Sequence, residues 1–363
     1  MSQTEDIVTA TRRYEAWLRR RITLVPSDLA LKHKTMRQTG FGFLRATYYR
    51  WAQLWPVLCA EAASAPRILC VGDLHIENFG TWRDAEGRLI WGVNDFDEAH
   101  HAAYANDLVR LAASAMIAAE EGALDLDGKE ACAALLEGYA HGMAEKDARP
   151  FVLEESHAVL RDLALGKLRS AKKFWKKIEA CKTADPPKAV RKLLKSHLPK
   201  GTEHTTFVSR TAGAGALGVP RYAATGDLND SFVAREAKAR APSAFGWVSG
   251  TDVPKTCEEE VVARAIRVLD PFLHVTPDWL VRRLAPHCER IELADIAIAR
   301  ETRDVLVAMG AETANIHRGN RIARGPIRLD LARGKAGWLH ANAQIMADAV
   351  LADWKAWRKK SRR

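Results

Sequence analysis

The chain has 363 residues, 47% hydrophobic and 28% charged, a globular composition that excludes a disordered or fibrous protein. It is long enough for one large domain or two lobes around a real core. The net charge of +10 is uneven, because residues 167–200 hold 12 Lys or Arg against Glu179 and Asp185, and the tail from 355 adds six more basic residues.

Residues 4–21 and 43–63 read as helices, the second with Leu44, Tyr48, Trp51, Leu54, Trp55 and Leu58 at near-helical spacing. Short strands are expected at 67–72 and 89–94, joined by a loop with the turn signal "DAEG". Residues 103–146 and 151–197 read as mostly helical. Within 167–181, Leu168, Ala171, Phe174, Trp175, Ile178 and Cys181 make one apolar stripe among lysines, and "DPP" at 185–187 breaks the helical region. The basic stretch is either a solvated helix face or an electropositive surface for an anionic partner. Nucleic acid is the less favoured partner, because Phe174 and Trp175 fall on the apolar stripe rather than among the charges.

Residues 205–250 change to Gly, Thr, Val and Ser, with a hairpin turn at 225–231, and predict a small twisted sheet. Helix is expected again at 257–268, strands near 279–293, and helices at 294–318 and 336–358. No run approaches the roughly 18 apolar residues of a membrane helix. The N-terminal stretch has no apolar signal-peptide segment, so a cytoplasmic protein is expected. Six dispersed cysteines without a CxxC pair argue against a disulfide framework or a thiolate zinc site.

Chemistry concentrates in "CVGDLHIENFG" (70–80) and "VNDFDEAHH" (93–101). Asp73 and Asn78 have the D-x-x-x-x-N spacing of a phosphotransferase catalytic loop, in which the Asp takes a proton from the attacking hydroxyl and the Asn reaches a divalent metal. Asp95 stands where the second metal-binding carboxylate is needed. Oxygen ligands of this kind suit Mg²⁺. Asp97 shares a face with Asp95 if the strand continues, and Glu98 then points away. His100 and His101 read as a surface pair rather than as groups behind the metal ligands, and His317 could pack beneath the catalytic loop. A different chemistry is also open: "GDLH" resembles the D-x-H opening of a metallophosphoesterase, although no GNH motif follows.

Gly213, Gly215 and Gly218 form a G-x-G-x-x-G run followed by strand-like residues, the layout of a flap over ATP phosphates rather than of a dinucleotide fold. A phosphate-pairing cation is wanted on the strand after the hairpin. Arg235 and Lys238 compete for that place, and on a regular strand they face opposite sides. Glu258, Glu259 and Glu260 open the next helix; one could orient the lysine, but acids in a first turn are equally expected from the helix dipole.

"GDLHIENFG", "NDFDEA", "NDLVRLAAS" and "REAKARAPSA" resemble, in this order, the bacterial domain-of-unknown-function family 2252 (DUF 2252), from about residue 35 to 320. These motifs are in turn similar to those of aminoglycoside phosphotransferases and other protein-kinase-like enzymes. The resemblance implies that Asp73 is the catalytic aspartate, His75 the loop histidine, Asn78 and Asp95 the metal ligands, and Asp107 a structural aspartate. Aligning "AKARAPS" with the family's "VKEARPS" through Pro242 and Ser243 selects Lys238; aligning on the "EA" pair selects Arg235. The kept spacing favours Lys238.

The catalytic loop precedes the glycine flap, so the expected fold is α+β, two-lobed and protein-kinase-like in circularly permuted order. A catalytic lobe would span 1–200, a small nucleotide-binding antiparallel sheet 201–293, and helices packing back on the catalytic lobe 294–363. The expected function is ATP- and Mg²⁺-dependent phosphoryl transfer to an unidentified, possibly anionic, hydroxyl acceptor. A metallophosphoesterase-like hydrolase, a catalytically silent nucleotide-binding pseudokinase and a nucleic-acid-binding protein are the alternatives.

Overall fold

Alanine-rich runs and apolar residues at helical spacing build an α+β fold, about 52% helical, with small antiparallel sheets. The computed structural model describes residues 5–154, 156–168, 171–250, 257–288 and 299–360. The expected strand residues 289–293 and helix residues 294–298 lie outside the described residues, as does the side chain of Leu168.

The core is organised around the helix Ala105–Glu120, buried continuously from Ala105 to Ala118. Its small side chains let the helices Gly128–Ala144 and Trp338–Lys360 approach it closely. The helix Ala299–His317 packs along Gly128–Ala144 at backbone contact. A Cβ on Gly138 would lie 1.9 Å from the Val307 carbonyl oxygen, and one on Gly310 would lie 2.1 Å from that of Leu135. Only glycine fits either place, and the close approach carries His317 under the segment that holds Asp73.

The expected helix over 43–63 is broken into Gly40–Ala46, Tyr48–Leu58 and Ala60–Ala63. The helix Pro26–Thr35, with Pro at its start, was not anticipated.

The first strands are β1 (Arg67–Cys70), β2 (Phe79–Arg83), β3 (Leu89–Val93), β4 (His100–Ala103) and β5 (Phe151–Val152). The "DAEG" turn joins β2 to β3 and not β1 to β3. β1 pairs instead with β4, and β3 pairs with β5 on its other edge. Asp73 and Asp95 therefore follow strands of two different sheets.

A five-stranded antiparallel sheet follows: β6 (Glu203–Ser209), β7 (Arg221–Leu228), β8 (Ser231–Ala239), β9 (His274–Val275) and β10 (Trp279–Leu284), in the order β6-β7-β8-β10-β9. Asn229 and Asp230, at φ 50° and 58°, make the two-residue turn between β7 and β8, tighter than the expected 225–231. Two helices from the basic segment bracket the sheet. Phe174 and Ile178 of Ala171–Glu179 pack on Val208, Ala223, Ala234 and Leu284. Val190 and Leu194 of Lys188–His197 pack with Ala224, Ala237 and Val281 on the opposite face. The adjacent alanines 223 and 224 thus serve different layers, as strand periodicity requires.

Candidate functional site

The segment after β1 is pinned from below. The amides of Val71 and Gly72 donate to the Asp107 carboxylate at 2.7 and 3.0 Å. His317 Nε2 meets the same carboxylate at 3.0 Å, and the Tyr139 hydroxyl meets His317 Nδ1 at 2.9 Å. Burial opposes the charge on Asp107, yet His317 and the two amides hold its carboxyl below the usual range. Gly72 adopts φ +86°, and a Cβ there would lie 2.2 Å from the Glu98 carbonyl oxygen. A glycine is required at this turn, which delivers the next residue, Asp73, into a cavity.

That cavity, of about 780 Å³, is lined by Asp73, His75, Asn78, Asp95, Asp97, Lys238, Gly213 and Gly215. Arg110 Nε donates to Asp73 Oδ1 at 2.6 Å. The guanidinium is fully buried, 4.9 and 4.8 Å from the Tyr48 and Trp51 rings. Burial raises the Asp73 pKa, with Arg110 working against it. His75 Nδ1 accepts the Glu77 amide at 3.2 Å, so the neutral ring carries its proton on Nε2. The Asn78 side-chain amide donates to the Asp73 carbonyl, and the Asn78 carbonyl accepts the Asn94 amide at 3.0 Å, tying together the loops after β1 and β3.

Asp95 and Asp97 both turn toward Lys238. The ammonium is 3.6 Å from Asp95 Oδ1 and in closer contact with Asp97 Oδ2. Burial pushes the Asp95 pKa up, but Lys238, Arg221 and Arg282 bring it below the usual range. Lys238 is lowered, burial being the main cause and Asp95 opposing it. Arg235 takes the other face of β8, its guanidinium 4.9 Å from the Phe272 ring. Of the three helix-opening glutamates only Glu258 is buried; burial raises its carboxyl and nearby Lys238 opposes the rise. Glu259 faces Arg240 at 3.4 Å and Glu260 faces Arg264 at 2.8 Å.

The glycine run lies in the β6–β7 connection. At Gly215 a Cβ would stand 3.0 Å from the Arg45 carbonyl and 3.6 Å from Asp73 Oδ2, so the loop backbone rests against the Asp73 carboxylate. Lys32 Nζ donates to the Gly215 carbonyl at 3.2 Å, the Val25 amide to that of Gly218 at 2.8 Å, and Thr211 Oγ1 to Asp28 Oδ1 at 3.1 Å. Gly218, at φ +100°, does not itself line the cavity; a Cβ there would lie 2.6 Å from Leu29, which does.

Glu98 corrects the alternation argument. The chain leaves β3 at Val93 and turns at 97–98, so strand periodicity does not reach Glu98. Its carboxylate lines the cavity and accepts Ser243 Oγ at 2.8 Å and the Ala244 amide at 2.7 Å, and burial pushes its pKa up to about 8. The "PS" of the "RAPSA" motif was the available signal, because Ser243 caps the helix Ala244–Ser249. His100 is not a surface residue. It is buried, stacked 4.4 Å from Phe245, with Nδ1 2.8 Å from the Glu98 carbonyl, while His101 is exposed.

A further group was not anticipated. Glu236, fully buried two residues before Lys238, is bound by Arg221 Nη1 at 3.1 Å, by Arg282 Nε at 2.9 Å and by Arg210. Burial opposes its ionisation, and the three guanidiniums more than overcome it. All three arginines line the cavity. Lys173 and Lys177 of the basic segment stand at its rim.

No helix among the described residues is long and apolar enough to cross a membrane. No curated protein and no solved structure shows significant similarity to the chain. The glycine loop and Lys238 fall beyond the part that a family model matches. Residues 21–187, which carry Asp73, Asn78, Asp95 and Asp107, match the model of a family described as an uncharacterized protein conserved in bacteria, DUF2252, the family its motifs resemble.

Proposed function

We propose that this protein is an ATP- and Mg²⁺-dependent phosphotransferase acting on a hydroxyl acceptor, with a permuted protein-kinase-like arrangement. One observation carries the reading: the Asp73 loop, the Asp95–Asp97 turn, the glycine loop and Lys238 meet in one cavity although up to 165 residues separate them, from Asp73 to Lys238. Three features of the sheet support it. The glycine loop connects its first two strands, the inward lysine is on the third, and a buried glutamate opens a following helix. Protein kinases use a glycine loop and a third-strand lysine in this order and pair that lysine with a helix glutamate; here Lys238 is held by Asp97 and Asp95, and Glu258 acts on it only through its charge.

Asp73 is suited to accept the proton of the acceptor hydroxyl. Its raised pKa strengthens it as a base, and Arg110 holds it in orientation. The exposed backbone of the glycine loop cradles phosphate oxygens, and Lys238 transfers its ammonium from the carboxylates to the phosphates. The carboxylate and amide oxygens of Asp95, Asp97 and Asn78 suit a hard cation, and Asp95 and Asp97 already converge on one positive charge, that of Lys238. Asn78, Asp95 and Asp97 would hold Mg²⁺, which neutralises charge on the transferring phosphoryl group when bound.

The deciding measurement is the thermal midpoint with millimolar ATP, with and without Mg²⁺, for the wild type and Asp95→Asn. A Mg²⁺-dependent rise that the variant loses is expected, since a ligand that binds only the folded state raises its midpoint. No shift with any nucleotide would remove the reading. A shift without turnover on any acceptor would leave a nucleotide-binding pseudokinase.

A further inference from the structure

Resting on the reading above, we propose that the donor is recognised through its phosphate chain and not its base, by a guanidinium subsite made of Arg210, Arg221 and Arg282 on Glu236. The position two residues before Lys238 on β8 shares the lysine's face of the sheet. It is Glu236, fully buried under three arginines. Three guanidiniums against one carboxylate leave two positive charges beside the Lys238 ammonium, a wall of hydrogen-bond donors that suits phosphate oxygens, which only accept.

The arginines are built for an anion rather than for each other. Arg221 is 6% exposed, and its Nε is buried without a hydrogen-bond partner. The side chains of Arg210 and Arg282 keep 18% and 34% of their surface, open to the cavity they line. Glu236 fixes all three from behind, so their free N–H groups are preorganised. Planar guanidiniums in this arrangement match phosphate oxygens in pairs. Arg221 and Arg282 also act electrostatically on Asp95, the proposed metal ligand, so one phosphate chain can span the metal side and the arginine side of the cavity. The ligand class is a linear tri- or longer polyphosphate, with or without a nucleoside.

The test is a binding series on the wild-type protein with Mg²⁺: inorganic tripolyphosphate, ATP, GTP and adenosine, followed by thermal midpoint and calorimetry. Tripolyphosphate, ATP and GTP are expected to agree in Kd within about threefold, with no detectable adenosine binding. Arg282→Gln should weaken all three phosphates at least tenfold. Arg282→Lys, which keeps the charge and loses the fork, should fall between. If ATP binds with Asp95 dependence while tripolyphosphate does not, or ATP outbinds GTP more than tenfold, the subsite inference is overturned and the phosphotransferase reading stands. If none of the four binds, both fall. The wild-type series needs no variant to fold, and Arg282→Gln leaves Glu236 two arginine partners.

Discussion

At Asp73 two requirements meet in one side chain. The catalytic base we propose must be ionised and accessible, yet this carboxylate is fastened to an arginine that has no contact with solvent. The pairing is stabilising chiefly because its loss is costly: a buried guanidinium without its carboxylate retains the full desolvation penalty. Asp73→Asn is therefore expected to abolish any turnover and also to lower folding stability by about 2–4 kcal/mol. Methionine in place of Arg110 can fill the space between Tyr48 and Trp51 without a charge. The Asp73→Asn/Arg110→Met double variant should recover about half of the loss. Urea unfolding of all four members of the cycle measures the coupling, expected above about 1.5 kcal/mol. Additive single effects would show that the pair is not coupled, and the loss of activity in Asp73→Asn could then be read as chemistry alone.

At the scale of elements, what the sequence made legible follows from periodicity and turn chemistry. The strand–loop placement of Asp73 and Asn78, the β7–β8 hairpin and the amphipathic basic helices all had local signals. The pairing of β1 with β4 did not, because partner choice between short buried strands depends on packing that no local pattern encodes. Glu98 was misread where strand alternation was carried past the end of β3, and His100 was read as a surface residue although it is buried. Lys32 and Arg110 were given no role, the latter although it lies within "NDLVRLAAS", since a single cation in a helix is normally a solvated one. Glu312 is a similar case. On the helix Ala299–His317 it meets the Val93 amide of β3 at 3.3 Å, and burial pushes its pKa up to about 7 despite nearby Arg267. A carboxyl whose folded pKa lies above its unfolded value adds stability that is complete below about pH 4.5 and is lost as pH rises through 7. Glu312→Gln keeps the acceptor for the Val93 amide, gives up the longer bond from Asn315 Nδ2 at 3.4 Å, and removes the titration. Against the wild type it should be level near pH 4.5 and more stable at pH 8 by about 2–3 kcal/mol. Urea midpoints across that range decide it; parallel pH curves would refute the assignment.

At the scale of the molecule, two sets of contacts that join the sheet to the helical body lie at the cavity. One is the turn after β3, where Asp95 and Asp97 hold Lys238, Glu98 holds Ser243 and Ala244, and the Ala99 carbonyl accepts the Cys257 amide at 3.2 Å. The other is the helix Pro26–Thr35 on the glycine loop, through Lys32, Asp28 and the residue before the helix, Val25. These contacts differ in what they stabilise. Lys32 is buried with a lowered pKa, chiefly through desolvation, and it donates a hydrogen bond to a backbone carbonyl of the loop. Replacing it removes an unfavourable buried charge from the body while it releases the loop. Lys32→Met should therefore leave the global unfolding midpoint unchanged or slightly higher. Amide exchange in residues 213–218 should meanwhile speed up about tenfold, because local opening is governed by local contacts. Hydrogen exchange read by peptide mass, beside a thermal melt, separates the two effects. Equal protection in both proteins would mean that the Val25 and Asp28 contacts alone hold the loop down over Asp73; a lowered midpoint with faster exchange everywhere would make Lys32 part of the core rather than a clasp on the glycine loop.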